Sequence, residues 1–147
     1  KFDFSKQLFP LVLETGLPMY AKTIDGIWFD VGHPLELLKA QKALIQNREK
    51  LPFPMPPGRV LEDGSFISST AKVSGQVTSS VISSDCVITE NSIVKNSLVM
   101  KGTIFDGDAD SSVVGENCNL ERADLRDAVI GDFIEEKALK IRMGKYP

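Results

Sequence analysis

Between Ser80 and Ile130 the chain repeats itself, and that repeat leaves few folds open. Segments beginning at Ser80, Ser97, Ser112 and Ala128 align with periods of 17, 15 and 16 residues. Their second positions are Val81, Leu98, Val113 and Val129, and their third are Ile82, Val99, Val114 and Ile130. The seventh positions are Cys86, Thr103 and Cys118; the ninth are Ile88, Phe105 and Leu120. Within a repeat, aliphatic residues recur about every six positions, as at Val81, Val87 and Ile93, and earlier at Ile67 and Val73. Short β-rich pieces with small or polar residues between them, repeating at a fixed period, specify a parallel β-solenoid with three faces to a coil. Successive coils then lie about 4.8 Å apart, and the aligned columns become ladders of stacked side chains, expected to line the interior. Cys86 and Cys118 fall two coils apart, roughly 9 to 10 Å by that spacing, beyond the reach of a disulfide. They are expected to be buried structural residues.

The sequence upstream has a different texture. Leu51 to Arg59, "LPFPMPPGR", holds four prolines in nine residues and reads as a semi-rigid linker. It divides the chain into residues 1–50, the linker 51–59 and the solenoid 60–147. In the first part, Ser5 is a candidate helix cap, and a kinked helical turn should restart at Pro10 and stop at Gly16. "PMYAKTI" and "IWFDV" alternate like short strands around the turn signal Asp25-Gly26, and Gly32 breaks the second of them. Pro34 suits the first position of a helix, with Leu37, Leu38, Leu44 and Ile45 along one side.

Composition narrows the function classes. Hydrophobic residues make up 42% and charged residues 25%, as in globular proteins. A net charge of −3 makes no case for nucleic acid or an anionic membrane as partner. No apolar run approaches the roughly 18 residues of a membrane span. Two cysteines are too few for a disulfide framework, which favours a cytoplasmic setting. The chain opens on Lys1 with no methionine, so it is expected to be cut from a longer protein.

The stretch from Phe2 to Ile45, with "FDFSK", "FP" and above all "GIWFDVGHP", resembles the closing segment of the catalytic domain of sugar-1-phosphate nucleotidyltransferases. These enzymes make ADP-glucose, dTDP-glucose, UDP-glucose or GDP-mannose. Many of them carry, after a linker, a left-handed β-helix of hexapeptide repeats. The resemblance therefore implies a mostly β chain: a left-handed parallel β-helix preceded by the α/β tail end of a Rossmann-like nucleotidyltransferase domain. It implies a reaction in which a sugar 1-phosphate attacks the α-phosphorus of a nucleoside triphosphate, releasing pyrophosphate, with Mg²⁺ between the phosphates. Glucose 1-phosphate is the expected sugar. It also implies that the acid of W-x-D-[IV]-G, here Asp30, is one of two carboxylates on the metal. Mg²⁺ prefers hard oxygen ligands and takes one or two carboxylates, which suits an aspartate. The family's Gly-rich nucleotide loop, its first metal carboxylate and its phosphate-binding lysine are absent from this sequence. The chain alone is therefore expected to be inactive, with its solenoid serving assembly, as a homo-oligomer, or regulation.

Each of these readings has a plainer rival. Asp30 could simply cap the helix at Pro34. Trp28 and Phe29 read as core, Gly32 as structural, and His33 as a helix-start polar residue. Asp3 and Lys6 stand where the family places polar groups near the sugar. Asp106, Asp108 and Asp110 resemble the start of a calcium loop, but Ser111 and Asn117 occupy the places that require Gly and Glu, so a solvated solenoid corner is expected. Lys137, Lys140, Arg142 and Lys145 read as a closing strand, with a phosphate or regulator site as the alternative. An acyltransferase would need a histidine base in the solenoid, and none follows His33. A non-catalytic scaffold or regulatory subunit related to these enzymes remains the second reading.

Overall fold

From Phe66 onward the chain winds into about five coils of short strands, each paired in parallel with the strand one coil away. The computed structural model describes residues 2–147; Lys1 lies outside them. One face of the solenoid stacks Phe66–Ser68, Val81–Ile82, Leu98–Val99, Val113–Val114 and the end of Asn119–Ile130. A second stacks Lys72–Val73, Val87–Ile88, the start of Ile104–Asp110, the start of Asn119–Ile130 and Glu135–Lys137. The third stacks Gln76–Thr78, Ile93–Lys95, the later part of Ile104–Asp110, the middle of Asn119–Ile130 and the start of Lys140–Tyr146. The strand Gly58–Val60 runs antiparallel to Phe66–Ser68 and covers the exposed edge of the first face.

The register reproduces the sequence alignment: Val81 pairs with Leu98, Leu98 with Val113, and Val113 with Val129. The six-residue spacing is less general. It holds from the first face to the second, at Ile82 to Ile88, Val99 to Phe105 and Val114 to Leu120, all buried. From the second face to the third the buried residues are Ile88 and Val94, then Phe105 and Ala109, then Leu120 and Leu125. Coil length therefore varies at this one corner. The tightest version needs Gly107 at φ 130, where a Cβ would overlap the Ala123 backbone. The remaining corners bend through residues in the left-handed region, among them Ser79, Asn96, Ser111 and Asp127 in one column and Asp85 and Asn117 in another. Short polar side chains tolerate that conformation by bonding their own backbone.

The last coil departs from this rule with Phe133 at φ 60 and a side chain 72% exposed. A bulky residue pays about 1 kcal/mol or more for the left-handed region and recovers nothing by packing here. Phe133→Asn is expected to stabilise the chain by about 1 kcal/mol, read as a higher urea midpoint at unchanged slope.

Adjacent residues of a strand face opposite ways, and this divides the aligned columns. Ile82, Val99, Val114 and Ile130 point inward and join the interior with Ile88, Phe105, Leu120, Val94 and Leu125. The neighbouring column, expected inside, faces out. Val81, Leu98 and Val113 belong to a second buried cluster with Phe66 and with Leu38 and Ile45 of a helix, α2, Pro34–Gln46. That helix covers the first face, which is why an outward column can be apolar. Cys86 and Cys118 are buried and free, as expected. Their thiols lie against the carbonyls of Met100 (3.0 Å) and Gly131 (3.1 Å), and burial raises the pKa of both. Thr103, between them in the column, donates to the Gly115 carbonyl at 2.7 Å.

The serines that open each repeat form a ladder. Ser65, Ser80, Ser97 and Ser112 are fully buried. Ser65 Oγ accepts the amide of Ser80 (3.2 Å), Ser80 Oγ that of Ser97 (3.0 Å), and Ser97 Oγ that of Ser112 (3.0 Å). Ser112 Oγ then accepts the amide of Ala128 at 3.1 Å, and the ladder ends because alanine has no hydroxyl to continue it. Ser97→Ala would strand the buried Ser112 amide. An unsatisfied buried donor costs about 1 to 3 kcal/mol, so this small substitution should lower stability by that amount in denaturant titration.

Before the linker the structure corrects two expectations. "PMYAKTI" and "IWFDV" form no strands: residues 17–33 carry no regular secondary structure. A strand is held by its ladder partners, and nothing pairs with this segment here. The kinked helical start is present, as a π-helical turn Phe4–Leu8 running into a short helix, α1, Phe9–Glu14, with Pro10 in its first turn and Gly16 at φ 68 behind it.

Candidate functional site

Asp30 lies in the segment that leads into α2, and the local sequence explains how it is presented. Pro34 occupies the first turn of α2, where its fixed φ and missing N–H cost nothing. His33 is the N-cap, extended at φ −141, with Nδ1 accepting the Leu35 amide at 3.2 Å. That is the helix-start role expected of it, and it relieves Asp30 of capping. Asp30 itself is exposed, and among the described residues no hydrogen bond or ion pair engages its carboxylate. It can offer a free carboxylate to a ligand from outside.

What it lacks is company. Among the described residues, no group of three His, Cys, Asp or Glu side chains is placed to hold a metal ion. An exposed aspartate is a fitting single ligand for Mg²⁺, which draws the rest of its shell from phosphates and water, but it does not make a metal centre alone.

The other candidate residues separate. Asp3 replaces Ser5 as the N-terminal cap: its carboxylate accepts the Lys6 amide at 2.9 Å, while its own amide donates to Gln7 Oε1 at 2.7 Å. A capping box of this kind occupies one oxygen of Asp3. Lys6 lies in the same turn, exposed, and neither residue is hydrogen-bonded to Asp30. Trp28, expected in the core, is 75% exposed, whereas its neighbour Phe29 is half-buried. Gly32 has no special backbone requirement: a Cβ there would meet only Asp30 Oδ1, at 3.9 Å. The structural role expected of it is therefore not one this backbone imposes.

Downstream, Asp106 is more than a solvated corner. Its carboxylate accepts the Thr89 hydroxyl at 2.6 Å and the Arg122 amide at 3.0 Å, tying three coils together, and these bonds hold its pKa below the usual carboxylate range. Asp63 ties the first coil to the second, accepting the amides of Ser65 in its own turn and of Ser79 one coil on, with the same direction of shift. Two of the four basic residues of the last coil pair with its predecessor: Lys137 with Glu121 at 2.9 Å, and Arg142 with Asp124. Those pairs suit a closing strand better than an open anion site. Sequence reasoning passed over the contact between α2 and the solenoid, although the outward apolar column was its signal. A cleft of about 370 Å³ lies between the Val31–Pro34 segment and the later coils, lined also by Val113, Gly115, Val129 and Gly131.

Among the described residues, no helix is long and apolar enough to cross a membrane. No family model matches the chain. Its sequence is 31% identical to a glucose-1-phosphate adenylyltransferase of Bacillus cytotoxicus, in an alignment covering 82% of this chain and 34% of the relative. Enzymes of the same name from Bacillus thuringiensis and Bacillus mycoides are 28% identical over the same shares. The chain spans about a third of the length of these curated relatives.

Proposed function

Because the chain is related over most of its length to the sugar-1-phosphate nucleotidyltransferases, we propose that it forms the C-terminal portion of such an enzyme. The reaction transfers a nucleotidyl group from a nucleoside triphosphate to a sugar 1-phosphate and releases pyrophosphate. The relatives' name supplies the pair to test first, glucose 1-phosphate and ATP. The observation that carries the reading is Asp30: an exposed carboxylate, free of capping duty, standing in "WFDVG" at the entry to α2. When bound, Mg²⁺ would neutralise phosphate charge, and Asp30 would supply one of its oxygens.

A second observation agrees. Phe2, Phe4, Leu13, Tyr20, Ile24 and Trp28 are all exposed, more apolar surface on one short segment than a finished domain leaves uncovered. A preceding nucleotide-binding domain is the surface that would cover it. The 147 residues alone supply no phosphate-binding loop, so they should be inactive. The solenoid serves assembly, its flat faces suited to a second copy of the enzyme. The test is pyrophosphate release by the full-length protein with Mg²⁺, ATP and glucose 1-phosphate. Release that depends on both substrates supports the reading; no release with any sugar 1-phosphate and triphosphate pair sinks it.

A further inference from the structure

The Asp30 segment is anchored to the folded body by one element. Among the described residues before Gly58, only Leu38, Ala40 and Ile45 are buried, and all three lie on α2. The helix has 13 residues, a length of about 20 Å at 1.5 Å per residue. Four coil-to-coil steps, from Phe66 to Val129, cover about 19 Å at 4.8 Å each. Helix and face therefore match in length. Ile45, near the helix's end, lines a groove with Val60 and Leu61 at the first coil, whereas His33 borders Val129 and Met143 at the last. So α2 lies along the solenoid axis, with its N-terminus, and Asp30 just before it, over the later coils. The junction is stiff. Pro34 fixes one φ, His33 caps the turn, and the Val31–Pro34 segment borders the cleft above Val113 and Gly131.

We propose that the first face of the solenoid, acting through α2, positions Asp30, and that Leu38, packed in one cluster with Leu98 and Val113, is the positioning residue. The proposal rests on the reading of Asp30 as a metal ligand. A carboxylate reaches a metal only within a few tenths of an ångström of the right place, and α2 fixes the C-terminal side of the segment that carries Asp30. The solenoid then does more than assemble copies. It sets the geometry of a group in the catalytic part of the enzyme.

Leu38→Ala tests this, with Leu38→Met as the conservative partner. In the 147-residue chain, amide exchange over residues 31–45 should quicken at least tenfold in Leu38→Ala, while Val99 and Leu120 inside the solenoid keep their protection. In the full-length protein, the Mg²⁺ concentration giving half-maximal pyrophosphate release should rise at least threefold, and Leu38→Met should return it to within twofold of the original. Unchanged exchange over residues 31–45 would overturn the anchorage. Quickened exchange with an unmoved Mg²⁺ requirement would overturn the positioning role. An unimpaired Asp30→Asn enzyme would instead sink the reading of Asp30, and the exchange result would still stand as a measure of the anchor.

Discussion

Phe105→Ala should destabilise the chain by about 3 to 5 kcal/mol, the usual cost of emptying a buried phenylalanine site. Phe105 is the largest fully buried side chain in the solenoid. It shares its layer with Val99 and Ala109, so bulk on one wall is offset by a small residue on another. The layers on either side use Ile88 with Val94 and Leu120 with Leu125, a more even division of volume. The backbone around the site is held by parallel ladders on both sides and cannot collapse into the space an alanine would leave. A domain of this size has only about 5 to 15 kcal/mol in hand, so the loss should appear as a large fall in the urea midpoint. A loss below 1 kcal/mol would mean that the layer is not packed as described. Ala109→Leu probes the same layer from the other side, since overpacking also destabilises, by about 1 to 3 kcal/mol.

Asp30→Asn in the full-length protein should lower turnover at least tenfold, about 1.4 kcal/mol of barrier, measured as pyrophosphate release at saturating Mg²⁺. The amide keeps the shape and one carbonyl oxygen but loses the charge that makes a carboxylate a good ligand for a hard cation. The fold should be indifferent. Asp30 is exposed and makes no hydrogen bond among the described residues, and substitutions at such surface sites usually change stability by less than about 0.5 kcal/mol. Turnover near the original value would count decisively against Asp30 as a metal ligand. A large loss of stability would show that the side chain does structural work the geometry does not reveal.

The two predictions draw on parts of the chain that were unequally legible. The solenoid was readable because each coil must bury residues at the same places as its neighbours. Val81, Leu98, Val113 and Val129 therefore align in sequence and pair in space. The serines at 80, 97 and 112 stood in that alignment too, but their role as a buried hydrogen-bond ladder needs the register and the burial together. The direction of the second column was misread for a related reason. Two apolar residues in a row on a strand cannot both point inward, and only a covering element tells which one is outside the coil. Alternation in "PMYAKTI" and "IWFDV" suggested strands, yet no neighbour offers them a ladder, and apart from half-buried Phe29 their large apolar side chains stay exposed.

The site was legible in one residue and no further. Asp30 could be chosen from its motif, and His33 and Pro34 could be read as the start of a helix, because capping is local chemistry written in a few adjacent residues. Ser5 was the cap the sequence suggested, but bonding to Lys6 and Gln7 gives that place to Asp3. By itself, then, the sequence determined the coil, its period, the buried columns and the position of α2, all properties of short-range pattern. Only the tertiary structure decided that α2 lies along the first face, that this face is apolar on both sides, and that Asp30 is carried at the helix's leading end. The physical reason is that packing between distant segments depends on which surfaces meet. No periodicity within either segment records that meeting.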